Sequence, residues 1–184
     1  MTHPTLDRVL LIGFMGSGKT SVGGRVADAL GWRFADFDHE IEAEAGASVA
    51  EIFASQGEAH FRALEERVGR GLLEGRQVVL ATGGGWAASP GRLAGLPPGT
   101  ASFWLKVSPE EAIRRVGATA GSRPLLARPD ALQEATRLLA WRSPFYEKAG
   151  WTVDTERSAV EDVTARVLGI LAREYPEIRV IRAK

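Results

Sequence analysis

Eight residues near the start of the chain have the pattern of a phosphate-binding loop. Residues 13–20 read GFMGSGKT, fit the motif G-x-x-x-x-G-K-[ST], and lie between a predicted strand and a predicted helix, as the motif requires. Glycines let successive backbone N–H groups point inward, and the helix N-terminus adds roughly half a positive charge. The motif predicts a nucleoside triphosphate site in which Lys19 reaches the β- and γ-phosphates and the Thr20 hydroxyl binds Mg²⁺. The alternative is a glycine-rich turn that binds no ligand. The residues expected to contact ATP here are Gly13, Gly16, Ser17, Gly18, Lys19, Thr20 and Ser21.

Two carboxylates stand at the predicted end of the second strand. Because side chains alternate along a strand, the spacing of Asp36 and Asp38 predicts that both lie on one face, while Phe37 points the other way into the packing. Ligands bind at the carboxyl ends of strands in open α/β sheets. One carboxylate is expected to hold Mg²⁺ through water, because this ion is slow to dehydrate, and the other to face an acceptor hydroxyl. The same spacing also fits an acidic strand end or an Asx turn.

A run of three glycines, Gly83, Gly84 and Gly85, follows the third predicted strand. It therefore lies at the same ligand-binding edge of the sheet, where the lack of side chains lets a substrate approach the backbone. A plain flexible turn fits the composition equally well.

Three arginines are candidates for binding a small carboxylate or a migrating phosphoryl group, because a guanidinium donates two parallel hydrogen bonds and carries a fixed charge. Arg62 also fits a solvated helix ion pair with Glu65 or Glu66. Arg123, before a proline, also fits a surface charge. Arg142 precedes Ser143-Pro144, where we expect the helix to break.

The rest of the chain supplies the elements that position these residues. Short β-rich runs alternate with longer helical patterns, which is typical of a parallel sheet with helices on both faces. Ser158 is predicted to cap the last helix, and Ser108 with Pro109 to begin the one after the fourth strand. Residues 117–130 show no period and predict a mobile loop that covers a site. The predicted strands are 8–12, 33–37, 77–81, 101–106 and 151–153, and amphipathic helices are predicted at 20–30 and 160–171.

Composition excludes several classes of protein. The 184 residues suit one domain, and 23 basic against 23 acidic side chains create no field that favours nucleic acid or an anionic membrane. The absence of cysteine excludes disulfides, thiolate zinc sites and cysteine nucleophiles. The early apolar run, residues 9–15, is too short to span a bilayer. We therefore expect a soluble, cytoplasmic, monomeric protein without nucleic-acid or membrane partners.

Taken together, the motifs resemble shikimate kinase in order and spacing, over roughly residues 8–171. The resemblance implies an α/β, three-layer P-loop NTPase fold with a five-stranded parallel sheet, an acceptor-binding segment at about residues 38–66 and a mobile lid at about 117–130. It also implies ATP- and Mg²⁺-dependent phosphorylation of the 3-hydroxyl of shikimate, in aromatic amino acid biosynthesis. The motifs that carry it are GFMGSGKT at 13–20, DFD at 36–38, GEAHFR at 57–62, GGG at 83–85, RPLL at 123–126 and Arg142.

The resemblance also implies roles for single residues. Asp36 would position Mg²⁺ with Thr20, and Asp38 would bind the acceptor hydroxyls and act as the base. The resemblance further implies that the carboxylate is held by Arg62, Arg142 and the glycine triplet, the γ-phosphate by Arg123 and the adenine by Arg115.

One position departs from the family pattern. Trp86 follows the triplet where a small residue is expected, so its indole is predicted to narrow or reshape the acceptor pocket.

Two other functions fit parts of the pattern. A gluconate kinase of the same fold would also need arginines for a carboxylate, although the glycine triplet and the RPLL lid favour shikimate. A non-catalytic module that senses the acid and nucleotide is disfavoured by the intact Lys19, Thr20, Asp36 and Asp38. Release of ADP distinguishes a kinase from such a sensor, because a sensor would bind both ligands without turnover.

Overall fold

The computed structural model describes residues 5–118 and 130–181. Most of the predicted lid, including Arg123 and the RPLL motif, lies outside the described residues. The strands are β1 Arg8–Ile12, β2 Arg33–Asp36, β3 Val78–Ala81, β4 Thr100–Lys106 and β5 Trp151–Asp154. The helices are α1 Lys19–Leu30, α2 Phe37–Ala45, α3 Val49–Glu74, α4 Pro109–Ala118, α5 Ala131–Tyr146 and α6 Val160–Glu174.

All five strands are parallel and follow the order β2-β3-β1-β4-β5. The central strand β1 is buried along its whole length. Val9 and Leu11 belong to the core cluster that includes residues of α1 and α6, while Leu10 and Ile12 belong to a separate cluster with Trp86 and Tyr146. Alternate side chains are therefore buried on both faces, as expected for a parallel sheet covered by helices. This confirms the predicted α/β fold.

The sheet order brings the candidate residues together. On one side of β1 the sheet continues through β3 to β2, and on the other through β4 to β5. In such sheets, ligands bind beyond the carboxyl ends of the strands, where the order reverses. The loop after β1, the end of β2 and the segment after β3 meet at that place.

Helix α3 is long but not continuous. Ser48 and Glu51 form a capping box at its start, in which the Ser48 hydroxyl accepts from the Glu51 N–H at 3.2 Å. At Gly57 the backbone leaves the helical region, with φ 80° and ψ 173°, so two helical segments meet at a kink. Arg62 lies on the second segment, just after the kink.

Predicted element boundaries agree with the structure at most positions, and β1 matches at both ends. Ser108 caps α4 as predicted, since its hydroxyl accepts from the Glu111 N–H at 3.2 Å. The predicted cap at Ser158 is wrong. The hydroxyl of Ser158 instead donates to the Glu156 carbonyl at 3.2 Å and accepts from Arg166 at 2.7 Å, and α6 begins after Ala159 without a side-chain cap.

The predicted helix break at Pro144 is also wrong, because α5 continues to Tyr146. Proline in the last turn removes only one helical hydrogen bond, and little helix follows that it could disrupt. The neighbouring Ser143 hydroxyl donates to the Leu139 carbonyl at 2.7 Å. The helix thus keeps its direction through the segment that carries Arg142.

Within residues 5–118 and 130–181, no helix has both the length and the apolar character needed to cross a membrane.

Candidate active site

The loop after β1 has the geometry of an anion-binding site. Gly18 caps α1 with φ 91°, no side chain occupies the cap, and the first turn of the helix contains no acidic residue. The N–H groups at this helix end and their partial positive charge are thus not offset by a carboxylate in the first turn. A Cβ atom at Gly16 would lie 2.7 Å from the Ala112 carbonyl oxygen, so close packing of the loop against α4 requires glycine here.

Lys19 and Thr20 lie at the mouth of this loop. The Lys19 ammonium donates to the carbonyls of Gly13 at 3.0 Å and Phe14 at 2.9 Å, so its side chain folds back across the loop. The Thr20 hydroxyl donates to Asp36 Oδ2 at 2.6 Å. These two residues line a cleft of about 400 Å³ that extends from the phosphate loop to Asp38 on one side and Arg115 on the other.

The two carboxylates reach the cleft by a route that differs from the prediction. Strand β2 ends at Asp36, which caps α2 by accepting from the Asp38 N–H at 3.0 Å. Asp38 therefore lies in the first turn of a helix, and the prediction that both carboxylates share one strand face is wrong. The strong preference of aspartate for the helix N-cap position explains the early end of the strand. Both carboxylates still line the cleft, and Phe37 is buried as predicted.

The glycine triplet after β3 is the meeting point of the polar side chains. A Cβ atom at Gly83 would lie 2.6 Å from Glu65 Oε1 and 3.1 Å from Asp38 Oδ1. A Cβ atom at Gly85 would lie 2.9 Å from both terminal nitrogens of Arg62. The triplet is therefore a backbone floor against which charged groups pack, rather than a turn that is glycine-rich by chance.

The side chain of Arg62 is 38% exposed and pairs with a buried carboxylate as well as with the exposed Glu58. It donates to Glu65 at 2.7 Å, and the Glu65 side chain is only 4% exposed. Burial raises the pKa of Glu65, and the charge of Arg62 opposes that rise. Sequence reasoning missed this part of the site, because the i+3 spacing indicated the pair but not its burial.

Arg142 projects from α5 onto the middle of the triplet. Its Nη1 donates to the Gly84 carbonyl at 3.2 Å, and its guanidinium carbon lies 5.7 Å from the centre of the Phe14 ring. The hydroxyl of Tyr146 donates to the same Gly84 carbonyl. We did not single out Tyr146 from the sequence, although its position four residues after Arg142 places both on one helix face.

Tyr146→Phe is expected to change the pH dependence of stability. The side chain is fully buried, and burial raises the pKa of its hydroxyl from 10.0 to about 12. Between these pH values the unfolded chain loses the proton that the folded protein keeps. Ionisation of this hydroxyl therefore lowers the free energy of unfolding of the wild type by up to about 3 kcal/mol as pH rises. The phenylalanine variant lacks this loss.

Urea unfolding of both proteins at pH 8, 10 and 11 measures the effect. At pH 8 the variant should be less stable by about 1 kcal/mol, because one buried hydrogen bond is missing. Above pH 10 the difference should shrink and then change sign. A difference that stays constant with pH would contradict the expected burial of the ionisable hydroxyl.

Arg115 lies on the opposite side of the cleft. It donates to the Gly16 carbonyl at 3.2 Å and to Glu111 at 2.8 Å, and it also contacts Thr155 after β5. Hydrogen bonds from Arg114 and Arg115 lower the pKa of Glu111 to about 2. The structure thus places Arg115 at the phosphate loop, in a fixed orientation, where it lines the cleft.

Trp86 does not narrow the cleft. Its side chain is 2% exposed and packs in the core with Phe37, whose ring it meets edge-on at 5.4 Å and 77°. The predicted narrowing of the acceptor pocket is therefore wrong, because the indole packs behind the triplet. The indole lies beside Gly69, where a Cβ atom would come within 2.9 Å of the indole nitrogen.

The phosphate loop lies at the switch point of a parallel sheet, and the carboxylates and two arginines lie near it around the glycine floor. This arrangement defines the class of P-loop kinases that act on small molecules. The family model for shikimate kinase matches residues 15–172, and the chain belongs to this family. Membership confirms the resemblance noted from the motifs.

Individual proteins support the same placement. The chain is 42% identical over 158 residues to a shikimate kinase of Synechococcus, which covers 86% of this chain and 80% of that protein. A shikimate kinase of Acinetobacter baumannii, solved in complex with shikimate, matches with a TM-score of 0.84 and 35% identity over 92% of this chain and 95% of that one. A gluconokinase of Sinorhizobium meliloti matches with a TM-score of 0.59 and 21% identity over 96% of each chain, which shows a common fold alone.

Proposed function

We propose that this protein is a shikimate kinase, which transfers the γ-phosphoryl group of ATP to the 3-hydroxyl of shikimate and releases ADP and shikimate 3-phosphate. The reaction belongs to aromatic amino acid biosynthesis. The observation that carries the proposal is the convergence of Asp38, Arg62 and Arg142 on the glycine triplet, beside the phosphate loop. A hydroxy acid placed there would have arginines for its carboxylate and an aspartate for a hydroxyl.

Asp38 is the group we assign to the acceptor hydroxyl. As the hydroxyl oxygen attacks the γ-phosphorus, the bond to the bridging oxygen of ADP breaks and the hydroxyl proton passes to Asp38 Oδ. Asp38 lies near Gly83 at the acceptor end of the cleft, which also holds the phosphate loop. Phosphoryl transfer depends mainly on positioning and on charge, so the fixed place of this carboxylate on α2 supports the role.

The two arginines are assigned to the acceptor carboxylate. Arg62 faces Gly85 and Arg142 faces Gly84, so their guanidinium groups approach neighbouring residues of one short segment. Arg142 donates to a neutral carbonyl in this structure, and an acceptor carboxylate would offer a stronger, charge-assisted bond. Tyr146 would keep the Gly84 carbonyl satisfied if Arg142 turned towards the substrate.

ATP would occupy the rest of the cleft. Its phosphates would lie against the backbone N–H groups of residues 13–20, and Lys19 would exchange its two carbonyl partners for the β- and γ-phosphates. Arg115 would flank the adenine from the side of the cleft formed with Thr155. Arg123 is assigned to the γ-phosphate from its sequence position, outside the described ranges.

Thr20 and Asp36 suit a Mg²⁺ ion bound with the nucleotide. Their oxygens are 2.6 Å apart, and hydroxyl and carboxylate oxygens are the ligands that this ion prefers. Residues 5–118 and 130–181 contain no cluster of three or more histidine, aspartate or glutamate side chains that could hold a metal, so phosphates and water would supply most ligands. The bound ion would offset the negative charge of the phosphates.

We also propose that the protein acts as a cytoplasmic monomer without nucleic-acid or membrane partners. The equal numbers of acidic and basic residues support the lack of nucleic-acid and anionic-membrane partners.

Release of ADP tests the proposed function. Purified protein is incubated with ATP and Mg²⁺, with shikimate, gluconate or no acceptor, and with EDTA as the control for the metal. We expect rapid release with shikimate alone and loss of activity with EDTA. Turnover with gluconate only would keep the reaction and reject the substrate. Binding of both shikimate and ATP without ADP release would instead support a sensor.

A further inference from the structure

Trp86 contacts the segments that carry the acceptor site. It follows Gly85 directly, and its backbone N–H donates to the Gly83 carbonyl at 3.1 Å. Its indole meets the Phe37 ring edge-on at 5.4 Å and approaches Gly69 on α3 closely. One buried side chain therefore connects the triplet, the junction of β2 with α2, and helix α3.

Each of these contacts lies next to a residue assigned to the acceptor. Phe37 precedes Asp38. Gly69 follows Glu65 by four residues and Arg62 by seven, so all three lie on one face of α3. A change in the position of the indole would move these groups relative to each other.

The indole has little room to move. A Cβ atom at Gly69 would lie 2.7 Å from the Phe37 ring and 2.9 Å from the indole nitrogen. Trp86 and Phe37 therefore leave no room for a side chain at position 69. On its other side the guanidinium of Arg92 lies 4.9 Å from the indole centre and pairs with Glu66 on α3. The indole is held between these groups.

We propose that Trp86 is a positioning residue for the acceptor. Its indole sets the distances between the glycine triplet, Asp38 and the Arg62–Glu65 pair, and so determines how well shikimate is bound. The inference rests on the proposed function. The phosphate loop packs mainly against β4 and α4, through Gly13 near Leu105 and Gly16 near Ala112, although its backbone also approaches Gly84. Removal of the indole should therefore affect the acceptor much more than the nucleotide.

The test is a comparison of KM values in Trp86 variants. Trp86→Ala is expected to raise KM for shikimate about tenfold or more, because misplacement of binding groups by an ångström is costly. KM for ATP should change less than about twofold, because the phosphate loop packs mainly against β4 and α4. Trp86→Phe keeps an aromatic ring against Phe37 and should recover most of the shikimate affinity. It also serves as the test variant if the alanine variant does not fold.

Phe103→Ala is the matched control for loss of a large core side chain. Phe103 is fully buried, but it belongs to the cluster on the other face of the sheet. Phe103→Ala should have a lower melting temperature than the wild type but the same two KM values. A purely structural defect reduces the amount of folded enzyme and not its affinity. Equal KM values for shikimate in wild type, Trp86→Ala and Trp86→Phe would overturn the inference.

A second variant pair tests the fit with Gly69. Gly69→Val alone should be destabilising, because the added carbons would overlap Trp86 and Phe37. Combined with Trp86→Ala, the same valine no longer overlaps an indole, and the Phe37 ring can shift into the vacated space, so the double variant should have a higher melting temperature than Gly69→Val. Additive effects would contradict the proposed fit.

Calorimetric titration with shikimate keeps this inference separate from the proposed function. If the wild type binds shikimate but does not phosphorylate it, the binding constants of the same variants test the role of Trp86. A wild type that neither binds nor phosphorylates shikimate would overturn the proposed function, and this inference with it.

Discussion

Asp38→Asn is expected to lower kcat for shikimate phosphorylation by about 10²–10⁴-fold, the usual contribution of a positioned general base. Asparagine has nearly the same size as aspartate, so the first turn of α2 and the contact near Gly83 should be kept. It carries no negative charge and cannot accept the hydroxyl proton in the same way. The dissociation constant of ATP should stay within about twofold, because the phosphate cradle does not depend on Asp38.

Steady-state turnover and calorimetric titration with ATP measure the two effects. Asp36→Asn is the matched control, since asparagine is as good a helix N-cap as aspartate and should preserve the fold. That variant is expected to change the Mg²⁺ concentration needed for activity rather than to mimic Asp38→Asn. Unchanged kcat in Asp38→Asn would remove this residue from the proposed mechanism.

Arg142→Ala is expected to raise KM for shikimate by about 100-fold, corresponding to about 3 kcal/mol for the loss of a charge-assisted pair. The Gly84 carbonyl keeps its bond from Tyr146, so the triplet should hold its position. KM for ATP is expected to change less, because Arg142 bonds the triplet and meets the phosphate loop only at the buried ring of Phe14 among the contacts of the described residues.

Initial rates at varied shikimate and varied ATP give both constants. Arg137→Ala is the control on the same helix, since Arg137 is 67% exposed and pairs with Glu134 at the surface. It removes the same charge from α5 without touching the triplet, and both KM values should stay at the wild-type level. Wild-type KM for shikimate in Arg142→Ala would show that the acceptor carboxylate lies elsewhere.

The fold was predictable because its strands are short apolar runs with sharp ends. Strand β1 is buried on both faces and carries only one charged residue, Arg8, at its start, so its limits in the sequence and in the structure coincide. The end of β2 was predicted one residue too late, at Phe37 instead of Asp36. A strand and a helix N-cap both accept Asp36, and the choice depends on the hydrogen bond to the Asp38 N–H, which spacing alone does not reveal.

The types of residue in the site were predictable, but the buried residues that hold them in position were not. Glycines, arginines and aspartates are visible as motifs, whereas Glu65 and Tyr146 act through burial, which depends on how distant segments pack. Trp86 shows the same limit of sequence-based prediction for a bulky side chain. Its size suggested an obstruction, and only the space beside Gly69 shows why the indole fits behind the triplet.

The glycine floor restricts how this enzyme could diverge towards new acceptors. A side chain at Gly83 would collide with Glu65, and one at Gly85 would collide with Arg62, so substitutions there damage the site before they can reshape it. Heritable changes in substrate choice are therefore expected to accumulate on α3 and α5, whose side chains form the walls. Directed evolution for other hydroxy acids should keep residues 83–85 constant and vary those two helices.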